Sequence, residues 1–475
     1  CYTGDVANPE RHPKYTLDYY MGLVDELVAT GHLHVLGIKD MAGLLKPQSA
    51  RLLVGSIRAK YPDLPIHVHS HDTAGIAVAS MLACAEAGAD VIDAAIDSMS
   101  GLTSQPSMGA IVSSLEQMEL GTGISHDSIQ RLNLYWSEVR QLYQCFEQNV
   151  KASDSSVFDH EMPGGQYTNL MFQSQQLGLG SQWSEIKHAY MEANMLCGDI
   201  VKVTPSSKVV GDLAQFMVAN KLSARDVEEH ASTLDFPVSV VEFFQGFLGT
   251  PPGGFPEPLR THIIRNKERV DTRRGASLPP LDFDKIKSDL TVKYRRPMSE
   301  CDAVSWAMYP KVFEEFQAFI EEFGDLSRMP TRFFLGKPKA GEEMHIPIED
   351  GKLLIVKLLG LGPFHEATGM RDVLFELNSS PRSISVKDLS ASVEEVHHEK
   401  ATSEPGSVGS PLAGVVVELK VKEGDAVKPG DAMFVMSAMK METIVSAQIA
   451  GKVTRVAVKQ NDSLSQNDLL CEITP

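Results

Sequence analysis

The sequence predicts a multidomain α/β chain with an all-β module at its C-terminal end. In residues 1–100, short apolar runs alternate with amphipathic helical stretches, a pattern typical of a parallel sheet that is open or closed into a barrel. Residues 283–390 combine a helical pattern with alternating strands. Residues 411–436 and 448–473 repeat one β pattern, and a chain of 475 residues is long enough for three or more domains.

The first domain is predicted to span residues 1–282. Its apolar periodicity predicts strands at 1–2, 34–38, 66–69 and 91–96 and helices at 17–30, 47–60 and 76–87. A mostly helical extension follows over residues 127–250, broken by Met-Pro-Gly-Gly at 162–165. We therefore expect the last strands of a parallel barrel, followed by helices.

Three further segments complete the predicted organisation. A second domain over residues 283–390 is expected to have an α+β fold, with strands over 332–387. Residues 391–407 are polar, with scattered Ser, Glu, Lys, Gly and Pro, and are predicted to be a mobile linker. The all-β module is predicted to span residues 408–475.

Composition excludes several classes of partner. A net charge of −18 and a pI of about 5.3 argue against nucleic acid or an anionic membrane as a general partner. The six cysteines are scattered without a Cys-x-x-Cys pair, which is typical of a reducing compartment and excludes a structural zinc knuckle. The sequence contains no apolar run long enough to span a bilayer, so no membrane partner is predicted.

The duplicated β pattern places one lysine at its centre. Gly424 aligns with Asn461 and Gly430 with Asn467, so both copies have a residue that tolerates positive φ at each turn. The segment that joins the copies contains Lys440, which we expect at an exposed turn. A lysine on a rigid double β unit suits a swinging-arm carrier, whereas the alternative is a surface lysine in an ordinary hairpin.

The residues around this lysine carry a family resemblance. The sequence Ala-Met-Lys-Met at 438–441 resembles the attachment motif of biotinyl (biotin carboxyl carrier) domains, which fold as flattened all-β barrels. Lipoyl domains share that barrel but usually lack the paired methionines. The resemblance implies that a biotin ligase attaches biotin to Lys440.

Three histidines recur at a period of two in the segment Ile-His-Val-His-Ser-His-Asp-Thr at residues 66–73. Side chains two apart on a strand share a face, so His67, His69 and His71 are predicted to point the same way. Imidazoles that converge at the C-terminal end of a barrel strand predict a divalent metal site. A single hydrogen-bonded core histidine is the ordinary alternative, and it does not account for three. Asp72 is predicted to cap the next helix.

Lys39 lies at the end of the preceding predicted strand, in Gly-Ile-Lys-Asp-Met-Ala-Gly-Leu-Leu at residues 37–45. We expect it to be buried, and a buried lysine is costly unless it is neutralised or paired. Pairing with Asp40 is the simpler interpretation.

These segments together resemble the carboxyltransferase domain of the pyruvate carboxylase family, a TIM-barrel metalloenzyme. The resemblance continues through five more segments, at residues 98–107, 163–170, 211–217, 253–258 and 374–378. It implies biotin-dependent carboxylation of pyruvate to oxaloacetate, as used in gluconeogenesis and anaplerosis. Carboxyl would pass from carboxybiotin to a metal-polarised pyruvate enolate.

The resemblance also implies a ligand set for the metal, which the sequence leaves open between Mn and Zn. His69, His71 and a carbamylated Lys39 correspond to three of the family's ligands. Carbamylation would convert the lysine into an anionic oxygen ligand. The fourth ligand, an aspartate, and the family's pyruvate-binding residues have no counterpart after Cys1 and are expected upstream.

Residues in Val-Thr-Pro-Ser-Ser-Lys at 203–208 complete the implied site. Thr204 corresponds to the family's catalytic proton-transfer threonine, although a threonine before proline is usually a turn former. Ser207 and Lys208 would line the pocket that receives the biotin ring.

The resemblance implies further partners and a location. Residues 283–390 resemble the family's tetramerisation (allosteric) domain, which implies a homotetramer and acetyl-CoA as an effector. The ATP- and bicarbonate-using biotin carboxylase domain is not in this sequence, so we expect an incomplete fragment that is not active alone. The expected location is the mitochondrial matrix for a eukaryotic protein and the cytoplasm otherwise.

Two alternatives remain open. Within the enzymes, the α subunit of oxaloacetate decarboxylase and a transcarboxylase subunit share the metal barrel and the biotinyl domain. Ser-Gln-Pro-Ser at 104–107 and Phe-Glu-Leu-Asn at 375–378 favour pyruvate carboxylase. From another class, the chain would be a biotinylated assembly module without turnover of its own.

Overall fold

The structure is a computed structural model. It describes residues 1–148, 150–327, 329–336, 338–365, 369–388, 398–402, 404, 406–438 and 441–475. Two compact units are present, one made of Cys1–Gln141, Phe146–Ala276 and His397–Pro475, the other of Leu142–Cys145 and Ser277–Val396. Among the described residues, no helix has both the length and the apolar character that a membrane span requires.

The N-terminal part of the first unit is a parallel three-stranded sheet with helices between its strands. The strands, in spatial order, are β1 (Leu36–Asp40), β2 (Ile66–Ser70) and β3 (Val91–Ile92), and the helices are α1 (Leu17–Ala29), α2 (Pro47–Lys60) and α3 (Ala77–Glu86). Tyr2 forms a parallel bridge to Asp40, where the first strand is predicted. The predicted alternation of strands and helices is confirmed. Strand β3 is shorter than the predicted strand over residues 91–96: it ends at Ile92, and Ala95 then forms an isolated bridge to Ser107.

Helices form most of the rest of the first unit. They are α4 (Met108–Ser114), α5 (His126–Leu142), α6 (Val157–His160), α7 (Gly164–Gln176), α8 (Trp183–Leu196), α9 (Ser206–Ala219), α10 (Ala224–His230), α11 (Val238–Gln245), α12 (Leu259–Ile264) and α13 (Arg274–Ser277). Helices α7 to α12 share an apolar core that includes Tyr190, Leu213 and Phe244. Helix α9 lies at its centre, since every residue from 209 to 217 is buried.

The second unit contains helices followed by an antiparallel meander. Its elements are α14 (Phe283–Tyr294), α15 (Glu300–Met308), α16 (Pro310–Phe323), α17 (Arg332–Leu335), β4 (Glu343–Glu349), β5 (Lys352–His365), β6 (Met370–Leu377) and β7 (Ser380–Lys387), with sheet order β4-β5-β6-β7. The predicted strand pattern is wrong over α17. There Pro330 opens a turn in which Phe333 N–H donates to its carbonyl at 3.0 Å.

The C-terminal module is a pair of four-stranded sheets. Its strands are β8 (Ser407–Gly409), β9 (Gly414–Leu419), β10 (Ala426–Val427), β11 (Ala432–Ala438), β12 (Met441–Ser446), β13 (Gly451–Val456), β14 (Ser463–Leu464) and β15 (Leu469–Thr474), in the orders β10-β13-β15-β8 and β12-β11-β9-β14. The φ angles are 98° at Gly424, 93° at Gly430, 72° at Asn461 and 64° at Asn467. Positive φ at all four turn positions confirms the predicted duplication.

Candidate active site

Strands β1 and β2 place Lys39 beside a histidine. Parallel pairing aligns Lys39 with His69, and Gly37 with His67. Because side chains alternate between faces, these residues share one face, while Ile38 and its neighbours on the other face are buried against helices. The expectation of a buried Lys39 is wrong. Its face of the sheet is open in the described structure, and the lysine is exposed.

Asp93 joins two of the predicted histidines. Its carboxylate oxygens lie 2.7 Å from His67 Nε2 and 2.7 Å from His69 Nδ1. Burial raises the pKa of Asp93, but the hydrogen bonds from the two imidazoles outweigh burial and bring the pKa below its usual value. The sequence reasoning missed Asp93, which falls inside the strand predicted over residues 91–96 but lies directly after β3 in the structure. Asp93 therefore fixes the ring of His69 through Nδ1.

His71 lies just beyond the end of β2, with its ring centroid 5.2 Å from that of His69. Its Nδ1 lies 2.6 Å from the carbonyl oxygen of Thr103, so Nδ1 carries the proton and Nε2 has the free lone pair. That Nε2 is buried and has no hydrogen-bond partner among the described residues. Burial also lowers the pKa of His71, which keeps the ring neutral at neutral pH.

Gly164, the first residue of α7, packs against this histidine. A Cβ at Gly164 would lie 2.6 Å from His71 Nδ1 and 2.5 Å from the carbonyl oxygen of Thr103. Gly164 N–H donates to the carbonyl of Met41 at 2.9 Å, so α7 begins against the loop that follows β1. Only glycine fits between the imidazole and its carbonyl partner.

Asp40 does not pair with Lys39. Its carboxylate is buried and accepts hydrogen bonds from the backbone N–H groups of Gly43, Leu44 and Leu45 and from the hydroxyl of Ser70. Asp40 therefore shapes the loop after β1 on the opposite face of the sheet.

Asp72 is not the N-cap residue of the following helix, which is Ile76, but its side chain still binds that helix terminus. Its Oδ1 accepts a hydrogen bond from the N–H of Ala77, the first residue of α3, at 2.8 Å. The side chain is therefore committed to the helix terminus.

The imidazoles of His69 and His71 are of the chemical type that binds divalent metal ions. No group of three or more His, Cys, Asp or Glu side chains in the described part of the chain is arranged to hold an ion. His71 nevertheless offers an unpartnered buried nitrogen, and Asp93 orients His69 as outer partners of metal ligands do. Lys39, in register with His69, becomes an oxygen donor only when its amine is carboxylated.

Thr204 lies on a different segment, exposed, two residues before α9 begins at Ser206. Ser206 holds the loop, since its Oγ lies 2.7 Å from the carbonyl oxygen of Val201 and 2.6 Å from that of Val203 and shares its one proton between them. Ser207 is buried.

A buried ion pair links the Thr204 loop to the start of α7. Lys202 Nζ lies 2.8 Å from Glu161 Oε2, which also accepts from the Thr3 hydroxyl at 2.8 Å. Burial raises the pKa of Glu161, but the nearby ammonium of Lys202 lowers it by more. The pKa of Glu161 therefore lies below its usual value. Glu161 is three residues before Gly164, so the pair connects the Thr204 loop to the segment packed on His71. Nothing in the sequence pattern predicted this pair.

Lys208 has a buried counter-ion. Its ammonium contacts Oδ2 of Asp212, one turn later on α9, and the Ser239 hydroxyl donates to the same oxygen at 2.5 Å. Asp212 is buried, whereas Lys208 is partly exposed. The spacing of four residues could have predicted the ion pair from sequence, but not Ser239.

Strands β11 and β12 form the hairpin that carries the predicted attachment site. They pair antiparallel as far as Ala438 and Met441. Lys440 lies between these residues, outside the described part of the chain.

The C-terminal module contacts the helical region of the same unit through this hairpin. Thr443 of β12 forms an antiparallel bridge to Pro237 at the start of α11, and Ser446 N–H donates to Asp235 Oδ2 at 3.2 Å. Thr443 is completely buried. A cavity of about 1080 Å³ lies beside these contacts, lined by residues of both regions.

Comparisons with family sequences match three regions. Residues 157–357 match the conserved carboxylase domain family, residues 406–473 the biotin-requiring enzyme family, and residues 7–134 the HMGL-like family.

Curated relatives match the chain over its whole length. Pyruvate carboxylase of Aspergillus terreus is 55% identical over 475 residues, 100% of this chain and 40% of the relative. Pyruvate carboxylase of Aspergillus niger is 56% identical over 474 residues, 100% of this chain and 39% of the relative. The mouse relative, named pyruvate carboxylase, mitochondrial, is 49% identical over 475 residues, 99% of this chain and 40% of the relative. The chain thus spans about 40% of the length of these relatives.

Solved structures agree with the sequence matches. The carboxyl transferase domain of Rhizobium etli pyruvate carboxylase superposes with a TM-score of 0.75 at 44% identity, covering 82% of this chain and 65% of that one. The complete multifunctional enzyme from Rhizobium etli superposes with a TM-score of 0.73 at 40% identity, covering 99% of this chain and 43% of that one. The chain therefore belongs to the pyruvate carboxylase family and corresponds to the C-terminal part of those proteins.

Proposed function

We propose that this chain is the carboxyl-transfer and carrier part of an enzyme that carboxylates pyruvate to oxaloacetate with biotin. The supporting observation is the pairing of Lys39 with His69 at the carboxyl ends of parallel strands, in a chain that also contains a biotin-type duplicated β module. The three parallel strands support the last part of a TIM barrel, whose chemistry lies at that end. Whole-length identity to pyruvate carboxylases favours this reaction over those of related decarboxylases or transcarboxylases.

Lys39, as its carbamate, and the imidazoles of His69 and His71 would hold a divalent ion, Mn or Zn. Asp93 orients His69, and the carbonyl of Thr103 orients His71 with Nε2 free. When bound, such an ion supplies Lewis-acid polarisation of the pyruvate carbonyl.

Thr204 would move the proton in this reaction. Its exposed hydroxyl, held at the end of the loop that Ser206 pins, would pass a proton from the pyruvate methyl group to a nitrogen of the biotin ring. Ser207 and Lys208, in the first turn of α9, would bind the biotin ring. Biotin, attached to Lys440 by a biotin ligase, supplies the carrier for the carboxyl group.

Other regions would serve assembly and delivery. We assign residues 1–282 to the carboxyltransferase, 283–390 to tetramerisation, 391–407 to the linker and 408–475 to the carrier. The first part of this segment lies outside the described residues, but the prediction of a mobile linker is wrong for its end, because Lys400 bridges to Asp468 and β8 begins at Ser407. A biotin carboxylase domain would load the carrier, and acetyl-CoA would regulate a homotetramer. The mouse relative is named as mitochondrial, which supports a mitochondrial location.

The experiment is an isotope exchange between labelled pyruvate and oxaloacetate, measured in the complete gene product that carries this chain. We expect exchange in the biotinylated protein and a loss of roughly 10–100-fold in a His71→Ala variant, whose Nε2 is removed. A matched control is His188→Ala, because His188 is exposed on α8. Full exchange in His71→Ala would contradict the proposal. A biotinylated wild-type protein without any exchange would favour the assembly-module alternative.

A further inference from the structure

Lys208 occupies a place where a helix disfavours a cation. It is the third residue of α9, and the exposed N–H groups of the first turn give that end of a helix a partial positive charge. A carboxylate at this position would stabilise the helix, whereas an ammonium does not. The side chain is 40% exposed, so its charge is available to a ligand.

The ammonium is compensated from inside the protein. Asp212 is 2% exposed and lies among the apolar side chains of the helical core. A buried carboxylate lowers stability unless it is paired and hydrogen-bonded, and a well-packed apolar residue in its place is often neutral or stabilising. Burial raises the pKa of Asp212, in keeping with that cost. The stability of the core therefore does not account for a carboxylate here.

The geometry gives the carboxylate another task. A single oxygen of Asp212 accepts from the ammonium of Lys208 and from the hydroxyl of Ser239. The ammonium has three N–H groups, so contact with one oxygen leaves others free to bind an acceptor on the exposed side of Lys208. Asp212 therefore fixes the position of the Lys208 ammonium without using all of the N–H donors of that ammonium.

Ser239 also connects this pair to the carrier module. It lies in the first turn of α11, two residues after Pro237, which bridges to Thr443 of β12. Thr443 is three residues after Lys440 in the sequence. The Ser239 hydroxyl, which donates to Asp212, thus belongs to the N-terminal end of α11, and the β11–β12 hairpin packs against that end.

We propose that Asp212, assisted by Ser239, is a positioning residue that holds the ammonium of Lys208 where it binds the ureido group of the biotin ring. This inference rests on the proposed function, in which Lys208 lines the ring pocket. The acceptor would be the ureido oxygen of biotin or the carboxyl group that it carries.

The test measures decarboxylation of oxaloacetate with free biocytin as the carboxyl acceptor, in the complete gene product. Asp212→Asn keeps the shape but removes the charge that anchors the ammonium. We expect the KM for biocytin to rise roughly tenfold, the loss typical of a hydrogen bond to a charged group, while the KM for oxaloacetate changes less than about twofold. Asp212→Glu should recover part of the loss, and Ser239→Ala should show a smaller rise.

A double variant separates positioning from general damage. If Asp212 acts through Lys208, adding Asp212→Asn to Lys208→Ala causes no further rise in the biocytin KM. The matched control is Glu229→Gln, which removes the partner of Arg225 at the same four-residue spacing on the surface of α10 and should change neither KM.

Each outcome decides the inference. An unchanged biocytin KM in Asp212→Asn, with a raised KM in Lys208→Ala, would overturn it and leave the proposed function intact. Additive effects in the double variant would also overturn it. If Asp212→Asn does not fold, the same comparison is made with Ser239→Ala. A wild-type protein without biocytin-dependent turnover would overturn the proposed function, and this inference with it.

Discussion

Substitution of Gly164 by alanine tests how tightly the site around His71 is built. The added methyl group would lie 2.6 Å from His71 Nδ1 and 2.5 Å from the Thr103 carbonyl oxygen, both well inside van der Waals contact. It must push apart two groups that are joined by a 2.6 Å hydrogen bond. Overpacking of this kind costs about 1–3 kcal/mol. The lost hydrogen bond to a buried imidazole adds about 1–3 kcal/mol.

The assay combines thermal unfolding with the metal content of the purified protein. We expect Gly164→Ala to lower the melting temperature by several degrees, since about 1 kcal/mol corresponds to roughly 2–4 °C in a domain of this size. Metal affinity should fall about 10–100-fold, as it does when an outer partner of a ligand is lost. Gly165→Ala is the matched control, because its Cβ would meet nothing within 4 Å. Equal melting temperatures and metal contents in the two variants would refute the reasoning.

Three further predictions concern modification, metal binding and pH. Lys440→Ala should abolish the biotin mass increment in mass spectrometry, and an increment that survives would contradict Lys440 as the attachment residue. Lys39→Ala should reduce bound divalent metal below one-tenth of the wild-type content (order of magnitude for a lost ligand), whereas an unchanged content would exclude the lysine as a ligand. Burial lowers the pKa of His160 to about 4, so between that value and its usual 6.5 the unfolded chain binds more protons than the folded chain. The free energy of unfolding should therefore decrease as the pH falls through this window, by up to about 1.4 kcal/mol per pH unit. His160→Gln should reduce that slope in denaturant titrations, and an identical slope would contradict the assignment.

Local features of the fold were predictable because neighbouring residues determine them. The four turns of the duplicated module need positive φ, and glycine or asparagine occupies each, as at Gly424 and Asn461. The period of two correctly placed His67 and His69 on one strand face. The same period could have corrected the expectation for Lys39, which alternates with the buried Ile38 and must face the other way.

Contacts between distant segments were not predictable from pattern. Asp93 reaches the histidines from the end of another strand, and Glu161 meets Lys202 only after the helices have packed. Neither carboxylate belongs to a recognisable spacing with its partner. The functional roles of Thr204 and Lys208 also came from resemblance, since a threonine before proline and a lysine on a helix carry no distinct chemical signal of their own.

The most direct measurement of the central claim is carboxyl exchange between labelled pyruvate and oxaloacetate, with and without the biotin attachment residue. In the complete gene product, the account predicts exchange that requires biotin on Lys440 and that is lost both in Lys440→Ala and in His69→Ala. Free biocytin should restore part of the exchange to Lys440→Ala but none to His69→Ala. Exchange that persists in biotin-free Lys440→Ala, or that biocytin restores to His69→Ala, would contradict a tethered carrier serving an imidazole-bound ion.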